Sequence, residues 1–144
     1  MRLQHIRQQH SWDCGLACCA MILRALGHPA DRCGLTALQQ SSPKRSLWTI
    51  DLAFILQGFG VSCKLLTANP GARAEYAHEA FYEATLSEDS RRVQALFERA
   101  EAAGVDVECR SLSSDALQDM VRPGSVTMAL VVRAAPLAPA RATG

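Results

Sequence analysis

Six cysteines and four histidines are the residues of this chain best suited to nucleophilic or metal chemistry, and Cys14 stands apart by its setting. It closes the run Gln8-Gln9-His10-Ser11-Trp12-Asp13-Cys14 and opens an apolar stretch. Leu16, Cys19, Ile22, Leu23 and Leu26 recur at three- and four-residue steps, which predicts a helix beginning at Cys14 with these side chains on its buried stripe. Asp13 stands at the N-cap position, where its carboxylate could accept from a free backbone N–H. Gly27 follows the last periodic residue and suits the left-handed C′ position. A thiol in the first turn meets unpaired N–H groups and the positive end of the helix dipole, both favourable to an anion. The Asp13 carboxylate would oppose thiolate formation if it pointed at the sulfur. The chemistry would be nucleophilic attack, which needs a base and donors for the developing oxyanion. Of the histidines, His10 precedes Cys14 by one short step and is the first candidate base; His5 and His28 have less support.

The other thiols invite plainer readings. Cys18 and Cys19 share the Cys14 helix and are expected to pack as small buried side chains. Cys33, Cys63 and Cys109 are scattered singly. There is no CxxC pair and no Cys/His spacing of zinc-site type, so no metal or other cofactor is expected. Without a secretory signal the cysteines are read as reduced thiols.

The elements that must position Cys14 follow in order. His28-Pro29 ends the first helix. Asp31 to Gln40 reads as a second helix, followed by a polar loop over 41–45. Ser46 or Thr49 can cap a third helix carrying Ile50, Leu52, Phe54 and Ile55 and stopping at Gly58 and Gly60. Trp48 is expected as an anchor under the first helix, and Asp51 in a first turn suits the dipole. Residues 61–67 have strand character and end at the Asn69-Pro70-Gly71 turn. Residues 72–86 read as a broken helix or a loop, with Tyr76, Phe81 and Tyr82 as packing anchors and His78 solvated. Residues 87–103 form the clearest later helix: Val93, Leu96, Phe97 and Ala100 make its stripe, and Gly104 ends it. Arg91 and Arg92 are read as a solvated face. Val105, Val107 and Cys109 alternate with charged residues, as in a half-exposed strand. Ser113 to Val121 is a short capped helix. The apolar run 126–132 suits a strand covered on both faces.

Composition bounds the reading. A chain of 144 residues, 49% hydrophobic and 20% charged, is globular and fits one domain. A net charge of +1 argues against nucleic acid as the main partner. No apolar run is long enough to span a bilayer, and the first ten residues lack a signal-peptide core, so the expectation is an intracellular, cytoplasmic protein that is not on a membrane.

Gln8, six residues before Cys14, together with Asp13-Cys14-Gly15 at the head of an apolar helix, resembles the start of papain-like cysteine peptidases of the bacteriocin-processing type. The resemblance implies Cys14 as nucleophile and Gln8 as oxyanion donor. Trp12-Asp13-Cys14-Gly15-Leu16-Ala17-Cys18, Leu47-Trp48-Thr49-Ile50-Asp51-Leu52-Ala53, Phe59-Gly60-Val61, Phe81-Tyr82 and Val93-Gln94-Ala95-Leu96-Phe97 are similar in order and spacing to the guanylyl cyclase domain-containing protein family, over about residues 5–132. What this implies is an α+β, papain-like fold with its thiol helix packed against a sheet and the site in the groove between them.

The chain departs from that plan. The strand that would bring a His, and the Asp or Asn beyond it, have no match, and the residues after 132 match nothing in the family. The expectation is therefore an incomplete papain-like domain over 1–132 and a disordered Ala/Pro-rich tail over 133–144, in a truncated or alternatively spliced form with an open apolar edge at 126–132. The first functional reading is a catalytically inactive interaction or regulatory module with a protein partner. The second is a guanylyl cyclase, as the family name implies, with GTP as substrate; Asp13 and Asp51 would be the candidate metal-holding carboxylates, but they lie in unrelated contexts and no glycine-rich phosphate cradle accompanies them. The third is a thiol hydrolase using Cys14.

Overall fold

The computed structural model describes residues 1–42, 45–70 and 86–131. The expectations for Tyr76, His78, Phe81 and Tyr82, for the middle of the 41–45 loop and for the tail lie outside these residues. Among the described residues, six helices and two strands follow in order: α1 (Cys14–Ala25), α2 (Ala30–Cys33), α3 (Leu35–Ser41), α4 (Thr49–Gly58), β1 (Lys64–Thr67), α5 (Leu86–Arg99), β2 (Asp106–Cys109) and α6 (Ser114–Met120).

Helix α1 begins and ends where the apolar periodicity places it. Its stop is a Schellman motif: the Gly27 N–H donates to Arg24 O at 3.1 Å and the His28 N–H to Leu23 O at 3.0 Å. Gly27 has φ +89°, which a side chain would disfavour. The same motif ends α4, with Gly60 at φ +76° and its N–H on Gln57 O at 2.8 Å. The expected helix over 31–40 is two short helices instead. Gly34 is extended (φ −66°, ψ 157°) and breaks the run; a Cβ there would sit 2.5 Å from Ala30 O.

The organising element is α4. Ile50, Leu52, Ala53 and Leu56 are all buried, so the helix is apolar around its girth, the pattern of a helix enclosed on several sides. Leu52 and Leu56 join Leu16, Cys19, Leu23, Cys33, Leu35 and Leu38 in a first cluster formed with α1, α2 and α3. Ile50 and Ala53 join Trp48, Val93, Leu96, Ala100 and Val105 in a second, formed with α5 and the approach to β2. Trp48 is thus an anchor, but beneath α5 rather than beneath α1.

Neither Ser46 nor Thr49 caps α4. Trp48 holds the N-cap position, and Asp51 in the first turn accepts from the Trp48 N–H at 2.8 Å. Arg92 is not on a solvated face either. It donates to both oxygens of Asp51, to Ser46 O at 3.2 Å and to Asp89 Oδ1 at 3.2 Å. Asp89 is 1% exposed and also accepts from Ser46 Oγ and from Trp48 Nε1 at 3.1 Å.

β1 and β2 form a two-stranded parallel pair, Lys64 opposite Asp106 and Thr67 opposite Cys109, and α5 lies on the connection between them. Parallel strands require such a crossover. β1 is shorter than the 61–67 run; Val61 and Cys63 instead pack against the first cluster. The thiol helix was expected against the sheet. Its main neighbours are α3 and α4, and α4 is what touches β1.

Near the end of the described chain, α6 forms as expected, with Ser113 Oγ accepting from the Ala116 N–H at 3.1 Å. The strand expected over 126–132 is not formed in residues 126–131. Val126 and Met128 pack on the first cluster in extended alternation, while Leu130 and Val131 are 68% and 80% exposed. Among the described residues no strand pairs with this run, and there it gains what its alternate side chains bury.

Candidate active site

The first turn of α1 faces a strap, residues 5–8, that belongs to no helix or strand. Between them lies a groove of about 450 Å³. His5, Ile6, Arg7 and Gln8 form one wall; Cys14, Ala17, Cys18 and Met21 form the other. The helical wall is one face of α1, because residues three, four and seven apart project together. Leu16, Cys19 and Leu23 point the opposite way, into the core. The groove therefore follows from the same periodicity that builds the core.

Cys14 is exposed and Gln8 lines the same groove, so the nucleophile and oxyanion donor expected from the resemblance are brought together. Gln8 Nε2 donates to His10 O at 2.9 Å, which holds the amide on its own strap. Gly15 explains how the thiol-bearing turn can lie so close to α4: a Cβ there would stand 2.6 Å from Leu52 Cδ1. Cys18 was expected to be buried like Cys19, yet it is only half-buried and borders the groove. Burial, and then the neighbouring Cys14, push the Cys18 thiol up; burial first, followed by Cys18 and Cys63, pushes Cys19 to about 12. Burial likewise raises Cys33 and Cys63. All six cysteines are free.

Asp13 departs from its expected role. Its carbonyl accepts the first helical bond, from the Ala17 N–H at 3.0 Å, so its backbone stands at the N-cap. Its side chain makes no cap bond. The carboxylate turns back toward the strap, accepting from the Gln9 N–H at 3.2 Å, the His10 N–H at 3.0 Å and Gln39 Nε2 at 2.6 Å. Asp13 is fully buried. Burial would raise its pKa, but these hydrogen bonds and the nearby His10 outweigh it and hold the carboxyl below its ordinary value. Gln39 had no sequence signal: it lies on a different helix, and nothing in the 31–40 periodicity marks it.

His10, the first candidate base, is not among the residues that line the groove beside Cys14. Its ring stacks on Trp12, centroids 5.6 Å apart and 2° from parallel. His28 is edge-on to Phe59 at 5.4 Å. His5, which had less support than His10 in the sequence, does line the groove. Among the described residues no imidazole is hydrogen-bonded to Cys14.

The carboxylates considered for metal-assisted cyclisation, Asp13 and Asp51, belong to separate hydrogen-bond groups. Asp13 is occupied by three N–H donors, and Asp51 by Arg92 and the Trp48 N–H. They do not suit a catalytic metal ion, and among the described residues no group of three His, Cys, Asp or Glu side chains is disposed to hold one. No described helix is long and apolar enough to cross a membrane.

Comparison with known proteins reaches the same stretch of chain. A curated relative, Guanylyl cyclase 1 of Arabidopsis thaliana, is 40% identical over 132 residues, which is 91% of this chain and 47% of the relative. The chain thus spans about half the length of the curated relative it matches. No solved structure matches it significantly. A family model described as "Guanylylate cyclase" matches residues 3–137, from the strap through the groove and both clusters, and the chain belongs to that family.

Proposed function

We propose that this chain is a papain-like thiol half-site that recognises a protein partner through the groove beside Cys14 and does not turn over substrate by itself. One observation carries the reading: an exposed thiol and a side-chain amide on facing walls of a single groove, without an imidazole bonded to the thiol among the described residues. Such a site can accept attack geometry at a carbonyl, because Gln8 offers a donor where negative charge would develop. Among the described residues no imidazole is bonded to the thiol, as a base that generates the thiolate and then protonates the leaving group would be. An extended peptide suits a groove walled by a strap and a helix face. The expected behaviour toward an activated ester is one acylation of Cys14 per chain and no steady-state release of product. Continuous turnover that disappears in Cys14→Ser would overturn the inactive reading. Turnover lost also in His5→Ala would identify the base as the strap imidazole.

A second reading, conversion of GTP to cyclic GMP, is favoured by the name of the 40% identical relative. The environments of Asp13 and Asp51 argue against it for this chain. Purified protein with GTP and Mg²⁺ or Mn²⁺ is expected to form no cyclic GMP; formation that vanishes in Asp51→Ala would reverse the order of the two readings.

A further inference from the structure

We infer that Asp13 is a positioning residue for the Cys14 groove, fixing the Gln8 amide through the backbone of His10. The inference rests on the reading of Gln8 as oxyanion donor to Cys14. The connection is continuous. Asp13 Oδ1 accepts from the His10 N–H at 3.0 Å and Oδ2 from the Gln9 N–H at 3.2 Å. The His10 carbonyl then accepts from Gln8 Nε2 at 2.9 Å. A side-chain amide has two N–H groups, so one is held by His10 and the other is left to donate. The residue bonded directly to Cys14 is therefore also the residue that sets where the donor stands.

The chemistry requires a carboxylate. Three N–H donors converge on Asp13, and only an ionised carboxyl offers two acceptor oxygens and no donor to clash with them. Asp13 is fully buried, so water does not replace a lost bond. Gln39 ties the arrangement to α3: its Nε2 bonds Asp13 Oδ2 at 2.6 Å and reaches Gln9 Oε1 at 3.4 Å. The strap has little else to hold it. Of residues 5–8 only Ile6 is packed against the core, and His5, Arg7 and Gln8 are exposed. A donor must be in place before the reaction for its charge stabilisation to count, and the Asp13 bonds supply that preorganisation.

Two reactions of Cys14 separate positioning from stability. Acylation by p-nitrophenyl acetate forms the S–C bond while the carbonyl pair moves onto oxygen, and the oxyanion then collapses to expel p-nitrophenolate. Alkylation by iodoacetamide displaces iodide and forms no oxyanion. The ratio of the two rates, read by mass spectrometry on the Cys14 peptide of the full chain, reports the donor alone. Gln8→Ala is expected to lower that ratio about tenfold or more. Asp13→Asn and Gln39→Leu should each lower it several-fold with Gln8 still present. Gln39→Leu keeps both backbone bonds to Asp13 but removes the bond that fixes its carboxylate to α3, so the Gln8 amide loses its fixed place, and this variant carries the test if Asp13→Asn does not fold. A fall in Gln8→Ala with no change in a folded Asp13→Asn or Gln39→Leu overturns the inference and spares the donor reading. Both rates falling by one factor, with the ratio constant, would show a merely structural role and equally overturn it. An unchanged ratio in Gln8→Ala removes the donor reading and the inference with it.

Discussion

Two buried carboxylates, Asp13 and Asp89, are fully enclosed by different means, and the difference separates a site from a staple. Asp89 accepts from a guanidinium, an indole and a hydroxyl, and these three lie at the α4–α5 interface. With Asp51 it encloses Arg92, a charge already matched, and ties two helices together. Asp13 accepts from neutral N–H donors, two of them the backbone of Gln9 and His10 where the exposed strap ends. Beside it stand an open groove and an accessible thiol. A buried charge that holds packed helices together works through stability. One that holds a loosely packed strap beside an accessible thiol works through geometry.

Breaking the staple should give the largest effect. Arg92→Met takes one cation from buried Asp89 and removes two bonds from Asp51, and the expected loss is about 3 kcal/mol of unfolding free energy. Urea titration measures it; a loss below about 1 kcal/mol would mean that the network contributes little. The acylation-to-alkylation ratio at Cys14 should not move in this variant while it is folded.

Asp13→Ala removes three hydrogen bonds at once, and about 2 kcal/mol is expected, together with the change in ratio. The pH dependence has a defined sign. The Asp13 carboxyl is held below its ordinary value of 3.8, so the folded chain binds that proton less readily than the unfolded chain. The stabilisation is complete above pH 3.8 and is lost as pH falls through the folded value. Asp13→Asn should therefore flatten the acid limb of the stability curve, while an unaltered limb would assign that limb to other carboxyls.

The thiols sharpen the comparison without touching stability. Competitive alkylation of the native chain should mark Cys14 and Cys109 first, the two exposed cysteines, then Cys18 and Cys63. Cys33 and Cys19, both fully buried, should react only on unfolding. Labelling of Cys19 at the rate of Cys14 would show that the α1 core opens readily. The smallest effect belongs to the surface pairs of Lys64 with Asp106 and Glu108. Lys64→Ala should leave the urea midpoint in place, because exposed ion pairs add little.

Much of the first cluster was legible in the sequence because helical periodicity records which side chains face inward. Leu16, Cys19 and Leu23 needed only their spacing, and Gly27 and Gly60 needed only their position after it. That Cys14 and Gln8 border one groove agrees with the interval that made them candidates together. What periodicity cannot record is where a polar side chain turns. Asp13 could cap α1 or reach back to the strap, and the choice depends on Gln39, a residue from another helix. Arg92 was hidden for the same reason, since its partner Asp51 lies on α4. The run at 126–131 failed differently: apolarity signals burial, but a strand also needs a neighbour to bond.

The enclosure of α4 on several sides has a consequence for how the molecule comes apart. One helix supplies side chains to both clusters, so neither can melt while the other keeps its full set of contacts. The parallel strands are joined by a long crossover and should close late, after α4 has docked on α1. In native-state hydrogen exchange, the amides of α1 and α4 are then expected to share a single slow opening event, with β2 and α6 exchanging earlier and more cheaply. The strap, pinned by Asp13 but outside that cooperative unit, should open more often than the helix that bears the thiol.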